Sequence, residues 1–164
     1  MSITKETIKD IILGGYPDFK RFEMMESFAK YADETTDVEF LVNVLRNDSS
    51  SVLRHEAAAQ LLKIEQKKPW LINQLKDFVI ESLLNVVMND KSLVARHESV
   101  EALSYIGDKN VLKKLDEIIK TENENSEIIE TVKIARDIIE YRIIKDIKAS
   151  DLGSTILSEK ISHN

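Results

Sequence analysis

Two dipeptides, His55-Glu56 and His97-Glu98, are the residues of this sequence best suited to chemistry. The chain holds only three His in 164 residues. Two of the three fall at the same place in a repeated stretch. Residues 41–64 read LVNVLRNDSSSVLRHEAAAQLLKI and residues 83–106 read LLNVVMNDKSLVARHESVEALSYI, with 12 of 24 positions identical at a 42-residue offset. Imidazole nitrogens and carboxylate oxygens are ligands for divalent transition metals, and two His with one carboxylate leave coordination positions open for oxygen and substrate.

Helix geometry decides whether these groups can meet. At about 100° per residue, Leu53, Ala57 and Leu61 mark a core stripe, and His55 and Glu56 fall on opposite flanks of the other face. In the second copy Glu101 stands where the first has Ala59, so His97 and Glu101 form an i, i+4 pair. Neighbouring helices pack about 8–10 Å apart, and imidazoles pointing into that gap can reach one ion with bonds near about 2.0–2.1 Å. The competing reading is a solvated face on which His-Glu belongs to the repeat consensus and does nothing further. Asp48 and Arg54, like Asp90 and Arg96, are six residues apart. They are expected to tie each turn to the start of its second helix and to the next repeat.

The elements that must position these residues are helices. Spacing predicts one over 4–13, stopped at Gly14-Gly15, and one from Pro17 to about Ala32. Thr36 and Glu39 read as a capping box before Phe40–Leu45. Turns at 47–50 and 89–92 precede helices running to Ile64 and Ile106. Pro69 opens a helix to about Val87, Asp108 caps one to about Lys120, and a last one covers about 127–147. Trp70, Phe78 and Phe40 are expected in the core. A weaker third copy places Ile128-Ile129-Glu130-Thr131 where the first has Leu53-Arg54-His55-Glu56. Helix, tight turn and second helix, repeated, is the plan of an all-α, HEAT-like α-solenoid with the second helices lining a concave surface. Residues 1–150 form its single domain. Residues 151–164, with His163, form a C-terminal tail.

Composition narrows the function classes. Four Gly and two Pro argue against sandwiches, barrels and Gly-rich phosphate loops. The absence of Cys excludes disulfides, thiolate zinc sites and Cys nucleophiles. A net charge of −6 disfavours nucleic acid as a partner. Lys67-Lys68 and Lys113-Lys114 read as solvated helix ends. The longest uncharged stretch, Ser82–Asn89, is too short to cross a membrane. The opening residues show no secretory pattern, so a cytoplasmic location is expected.

VLRHEAAAQL (Val52–Leu61) and VARHESVEAL (Val94–Leu103) resemble the His-Glu repeats of deoxyhypusine hydroxylase, within the larger group of phycobilisome-lyase HEAT-like repeats. IIETVKIARDIIEY (Ile128–Tyr141) resembles that enzyme's closing repeat, and Arg21-Phe22-Glu23 with Phe28-Ala29 resembles its opening one. The likeness covers roughly residues 20–142 and one of the enzyme's two halves. It implies iron bound by four His-Glu pairs, two from each half, as a di-iron centre that activates O2 and hydroxylates a deoxyhypusine side chain on a translation factor. Carried over, the ligands are His55, Glu56, His97 and Glu98, with Glu101 supporting them from behind.

This chain has two pairs where the enzyme has four, and its connection from Glu65 to Lys76 is longer. A homodimer would restore the count. The expected function is therefore an iron-binding, O2-activating hydroxylase acting as a homodimer on a protein or cationic small-molecule substrate. The alternative is a non-catalytic scaffold binding a protein or peptide. A chromophore-lyase relative has less support, since Cys and a tetrapyrrole pocket are both lacking. A DNA-repair role is disfavoured by charge.

Overall fold

Thr4 begins the first helix by accepting a hydrogen bond from the Thr7 amide at 3.2 Å. In this computed structural model, which describes residues 3–123 and 126–145, every regular element is a helix. In chain order they are α1 (Lys5–Leu13), α2 (Asp18–Met25), α3 (Phe28–Tyr31), α4 (Thr35–Asn47) and α5 (Ser51–Lys67). There follow α6 (Pro69–Asn73), α7 (Lys76–Asn89), α8 (Leu93–Ile106), α9 (Lys109–Thr121) and α10 (Ile129–Lys145). The expected tail at 151–164, and His163 with it, lies outside the described residues.

Two helices expected to be continuous are broken. The stretch from Pro17 to Ala32 divides into α2 and α3 because a side chain enters the backbone ladder. Gln60 of α5 accepts a hydrogen bond from the Ala29 amide at 2.8 Å and donates one to the Glu26 carbonyl at 3.0 Å. Lys68 then donates to the carbonyls of Ala29, Lys30 and Ala32 and closes the C-terminus of α3. The stretch opened by Pro69 divides at Gln74-Leu75, where the Gln74 amide side chain takes the Trp70 carbonyl at 3.1 Å.

The start of α4 also differs from the expected Thr36–Glu39 box. Asp37 accepts from the backbone amides of Asp33 and Glu34 at 2.9 and 3.1 Å, so the helix begins earlier. Asp37 is fully buried and paired with Lys5 at 3.0 Å and Lys9 at 2.8 Å. A tertiary contact from α1 has chosen the capping register. Burial by itself would raise this carboxyl, but the two lysines and the two amides outweigh it and hold the group well below the ordinary range.

The helices pack in two rows. Helices α2, α5, α8 and α10 lie side by side in that order, with α4 against α5, α7 against α8, and α9 against α10. The core is one continuous apolar cluster that includes Leu53, Ala57 and Leu61, the stripe read from spacing. Phe40 reaches it, with its ring centroid 5.1 Å from that of Phe28. Trp70 and Phe78 do not: they are 58% and 39% exposed, because α6 turns Leu71 and Ile72 inward and α7 turns Val79, Leu83 and Val86 inward instead. Among the described residues no helix is long and apolar enough to cross a membrane. Gly107 ends α8 in a close approach, since a Cβ there would lie 2.5 Å from the Leu103 carbonyl oxygen and 2.9 Å from Ile139.

Adjacent second helices are tied by arginines. Arg54 donates to the Asp48 carbonyl of its own turn at 2.9 Å and to both oxygens of Asp90 in the next turn, at 2.7 and 2.9 Å. Arg21 reaches Asp48 and Arg96 reaches Glu122 through one nitrogen each. Asp48 and Asp90 also accept the Ser50 and Ser92 amides, at 2.9 and 2.8 Å, which shapes each turn. Asp–Arg pairs six residues apart therefore do tie turn to turn, with each aspartate's side chain paired to the arginine of the preceding unit.

Arg54→Ala should destabilise the protein by about 1–3 kcal/mol, as the loss of partly buried charged hydrogen bonds does. Chemical denaturation would measure it, and an unchanged midpoint would contradict the tie. The depressed Asp37 carboxyl stabilises the fold fully above the unfolded value of about 3.9, and this stabilisation is lost as pH falls below it. Asp37→Asn should therefore flatten the loss of stability in acid while lowering stability near neutrality.

Candidate metal centre

The arginine ladder determines what His55 and His97 meet, because each His directly follows a ladder arginine. With Arg54 held on Asp90, α5 and α8 take one register, and His55 Nε2 donates to the Glu98 carboxylate at 3.2 Å. With Arg96 held on Glu122, His97 Nδ1 shares a hydrogen bond of 2.7 Å with the Thr131 hydroxyl of α10. The two partners are equivalent in position, since Thr131 occupies in the third copy the place of Glu98 in the second, but His55 uses Nε2 and His97 uses Nδ1. In both, a histidine reaches forward to the next second helix.

The two His-Glu pairs are used differently. Glu98 is partly open and faces His55. Glu56 is buried at 5% exposure, where it accepts the Gln60 amide at 2.6 Å and lies 3.5 Å from Lys63. Its second oxygen is 3.9 Å from His55 Nδ1. Gln60 thus holds Glu56 in the same network that breaks α2 from α3. Glu101 lies near Glu98. Partial burial and the Glu98 charge raise its carboxyl above the ordinary value, while the His55 charge opposes them. The hydrogen bond to Glu98 pushes the His55 imidazole up, against partial burial and with help from the charges of Glu98, Glu56 and Glu101.

The donor chemistry suits a divalent cation, as imidazole and carboxylate oxygens face one seam. The number does not suffice in one copy: among the described residues no three His, Asp or Glu side chains stand close enough to hold an ion. His55 and Glu98 come together with Glu101 nearby, while His97 and Glu56 are each engaged elsewhere. Gln60 and Thr131 are partners that the spacing of His and Glu did not single out. Gln60 is four residues beyond Glu56, within helical reach of it. Thr131 could be found from its place in the third copy.

Compared with known protein families, curated proteins and solved structures, the chain matches none. Nothing in these comparisons identifies the chain as a deoxyhypusine hydroxylase relative.

In metal-free protein, Glu98→Gln should return the His55 titration toward the ordinary imidazole value of about 6.5, as followed by NMR of the ring protons. The raised imidazole stabilises the fold below that value, and the contribution is lost as pH rises through the raised one. An unmoved His55 titration would show that Glu98 does not act on it.

Proposed function

We propose that the chain is a HEAT-like α-solenoid that binds iron and works as a homodimer, a half-length relative of deoxyhypusine hydroxylase. The observation that carries this reading is the 3.2 Å contact between His55 and Glu98 across the seam of α5 and α8. It joins members of two different His-Glu pairs, as a ligand set assembled from successive repeats requires. Iron bound there would supply activation of O2 for hydroxylation of a protein or cationic small-molecule substrate.

The protein's own part is to present and orient ligands. His55 and Glu98 are held on rigid helices whose register the arginines maintain. Thr131 orients the His97 ring through Nδ1 and leaves Nε2 as its coordinating atom. Glu101 adds negative charge that favours a cation. Glu56 could join a ligand set only by leaving Gln60, so His55, His97 and Glu98 are the principal candidates.

A second reading is favoured by a specific observation. Thr131 and Gln60 already satisfy His97 and Glu56 within the fold. That suits a scaffold that binds a protein or peptide without metal.

The readings separate on metal content. After anaerobic loading with Fe(II) and removal of excess, the wild type should retain iron. His55→Ala and His97→Ala should each lose most of it, with the circular dichroism of helices unchanged. Wild-type protein that retains no iron, or variants that retain it fully, would overturn the metal centre in favour of the scaffold.

A further inference from the structure

Helix α10 carries an apolar stripe that the core and the metal chemistry leave unexplained. At about 100° per residue, Val132, Ala135 and Ile139 share its buried side. Ile134 and Ile138 lie off that side, toward α8, and neither joins the core cluster. Ile134 is 60% exposed. With Thr131 they form one wall of a groove of about 210 Å³, and Glu101, Ser104 and Tyr105 of α8 form the other. The side of α10 turned away from α8 is charged instead. There Lys133 pairs with Glu130 at 3.0 Å, and Arg136 with Asp137 and Glu140 at 3.4 and 2.7 Å. A polar end face of this kind closes a helical array and leaves no apolar surface for a further helix pair to bury. The groove beside it is apolar and open.

Chain direction decides what can reach the groove. His97 meets Thr131 toward one end of α8 and α10, and Arg142 donates to the Gly107 carbonyl at 2.6 Å toward the other, so the two helices run the same way. The groove therefore begins at Glu101 and Thr131 and ends at Tyr105 and Ile138, on the side from which the chain leads on past Lys145. Residues 146–164, which lie outside the described residues, follow directly. Ile138 stands about 10 Å back along the helix from Lys145. Ser150, Asp151, Gly153 and Ser154 are residues suited to a reversal, and the next apolar residues are Ile156 and Leu157. Lys160 comes after them. A returning segment meets the apolar walls first and the exposed Glu101 carboxylate last. Ile156, Leu157 and Lys160 stand in that same order.

We propose that residues 146–164 double back along α10 and seat Ile156 and Leu157 in the groove between α8 and α10, with Lys160 against Glu101. The contact is small, but it is made within one chain. A tethered segment is present at an effective concentration on the order of 1 mM, so an intrinsic Kd of about 0.1 mM keeps the groove covered about nine-tenths of the time. Seated there, the segment reaches the His97–Thr131 contact and shields that part of the α5–α8–α10 row. A partner that binds this face must displace it. The docking needs no metal, so it holds or fails apart from the iron-binding reading.

Two measurements on the metal-free, full chain test this. The chain has no Cys, so introduced thiols report alone. With Ile138→Cys and Ile156→Cys together, mild oxidation should give a disulfide within one chain. The control pairs Ile156→Cys with Ile144→Cys, on the charged side of α10, where Ile144 is 73% exposed. A free segment would close the shorter loop to position 144 more readily. Docking reverses that order, and position 138 should cross-link at least about fivefold faster. The second measurement is labelling of the lone Ile138→Cys thiol. Adding Ile156→Asp/Leu157→Asp should speed it by about tenfold, and adding Lys160→Glu by less, with helicity unchanged. Faster cross-linking at position 144, as loop length alone dictates, overturns the docking. So does labelling indifferent to the aspartates. Cross-links that join two chains, seen as a doubled mass, assign the groove to a second copy and overturn the chain's own segment as its occupant.

Discussion

The forward reach of each ladder arginine is the interaction on which the rest of the arrangement depends. Arg21, Arg54 and Arg96 each leave their own second helix and bind an acidic group at the next turn: Asp48, Asp90 and Glu122. Those acids are mostly shielded from water, so the pairs keep more of their strength than surface pairs do. The Arg54 guanidinium holds the Asp90 carboxyl below its ordinary range, against partial burial. Apolar contacts between helices tolerate small slides, whereas a two-pronged arginine–carboxylate contact such as Arg54–Asp90 does not. The ladder therefore fixes register, and register determines which side chains meet across each seam.

Because each histidine follows its arginine, the site inherits that register. His55 meets Glu98 and His97 meets Thr131 through one geometric rule applied twice. The chemistry differs between the seams because the third copy has Thr where the second has Glu. One seam thus holds a carboxylate beside imidazole, and the other holds a hydroxyl that orients imidazole. The two seams therefore differ in charge, although the sequence motif at both histidines is the same.

The buried polar groups show how the same logic shapes the backbone. Gln60 spends its amide on Ala29, Glu26 and Glu56, and in doing so joins α5 to the junction of α2 and α3. A broken helix leaves backbone donors and acceptors that must find partners, and a buried side-chain amide supplies one of each. Asp37 plays a similar part between α1 and α4. At both places a tertiary partner outweighed local propensity, and the helix boundaries moved accordingly.

The sequence by itself determined the helical class, the core stripe Leu53–Ala57–Leu61, the Asp108 cap and the repeated Asp–Arg spacing. Each follows from local periodicity or from comparison of one repeat with the next. It also singled out His55 and His97 by their common position. Only the tertiary structure decided that Glu56 is buried against Gln60 while Glu98 is open to His55, because burial depends on what the preceding helix places opposite. Trp70 and Phe78 carry an apolar signal without being core, since α6 turns Leu71 and Ile72 inward and α7 turns Val79 and Leu83 inward. Capping and helix breaks at Asp37, Gln60 and Gln74 were hidden for a related reason. A polar side chain can bond within its own helix or across to another, and local spacing does not distinguish the two outcomes until the helices are packed.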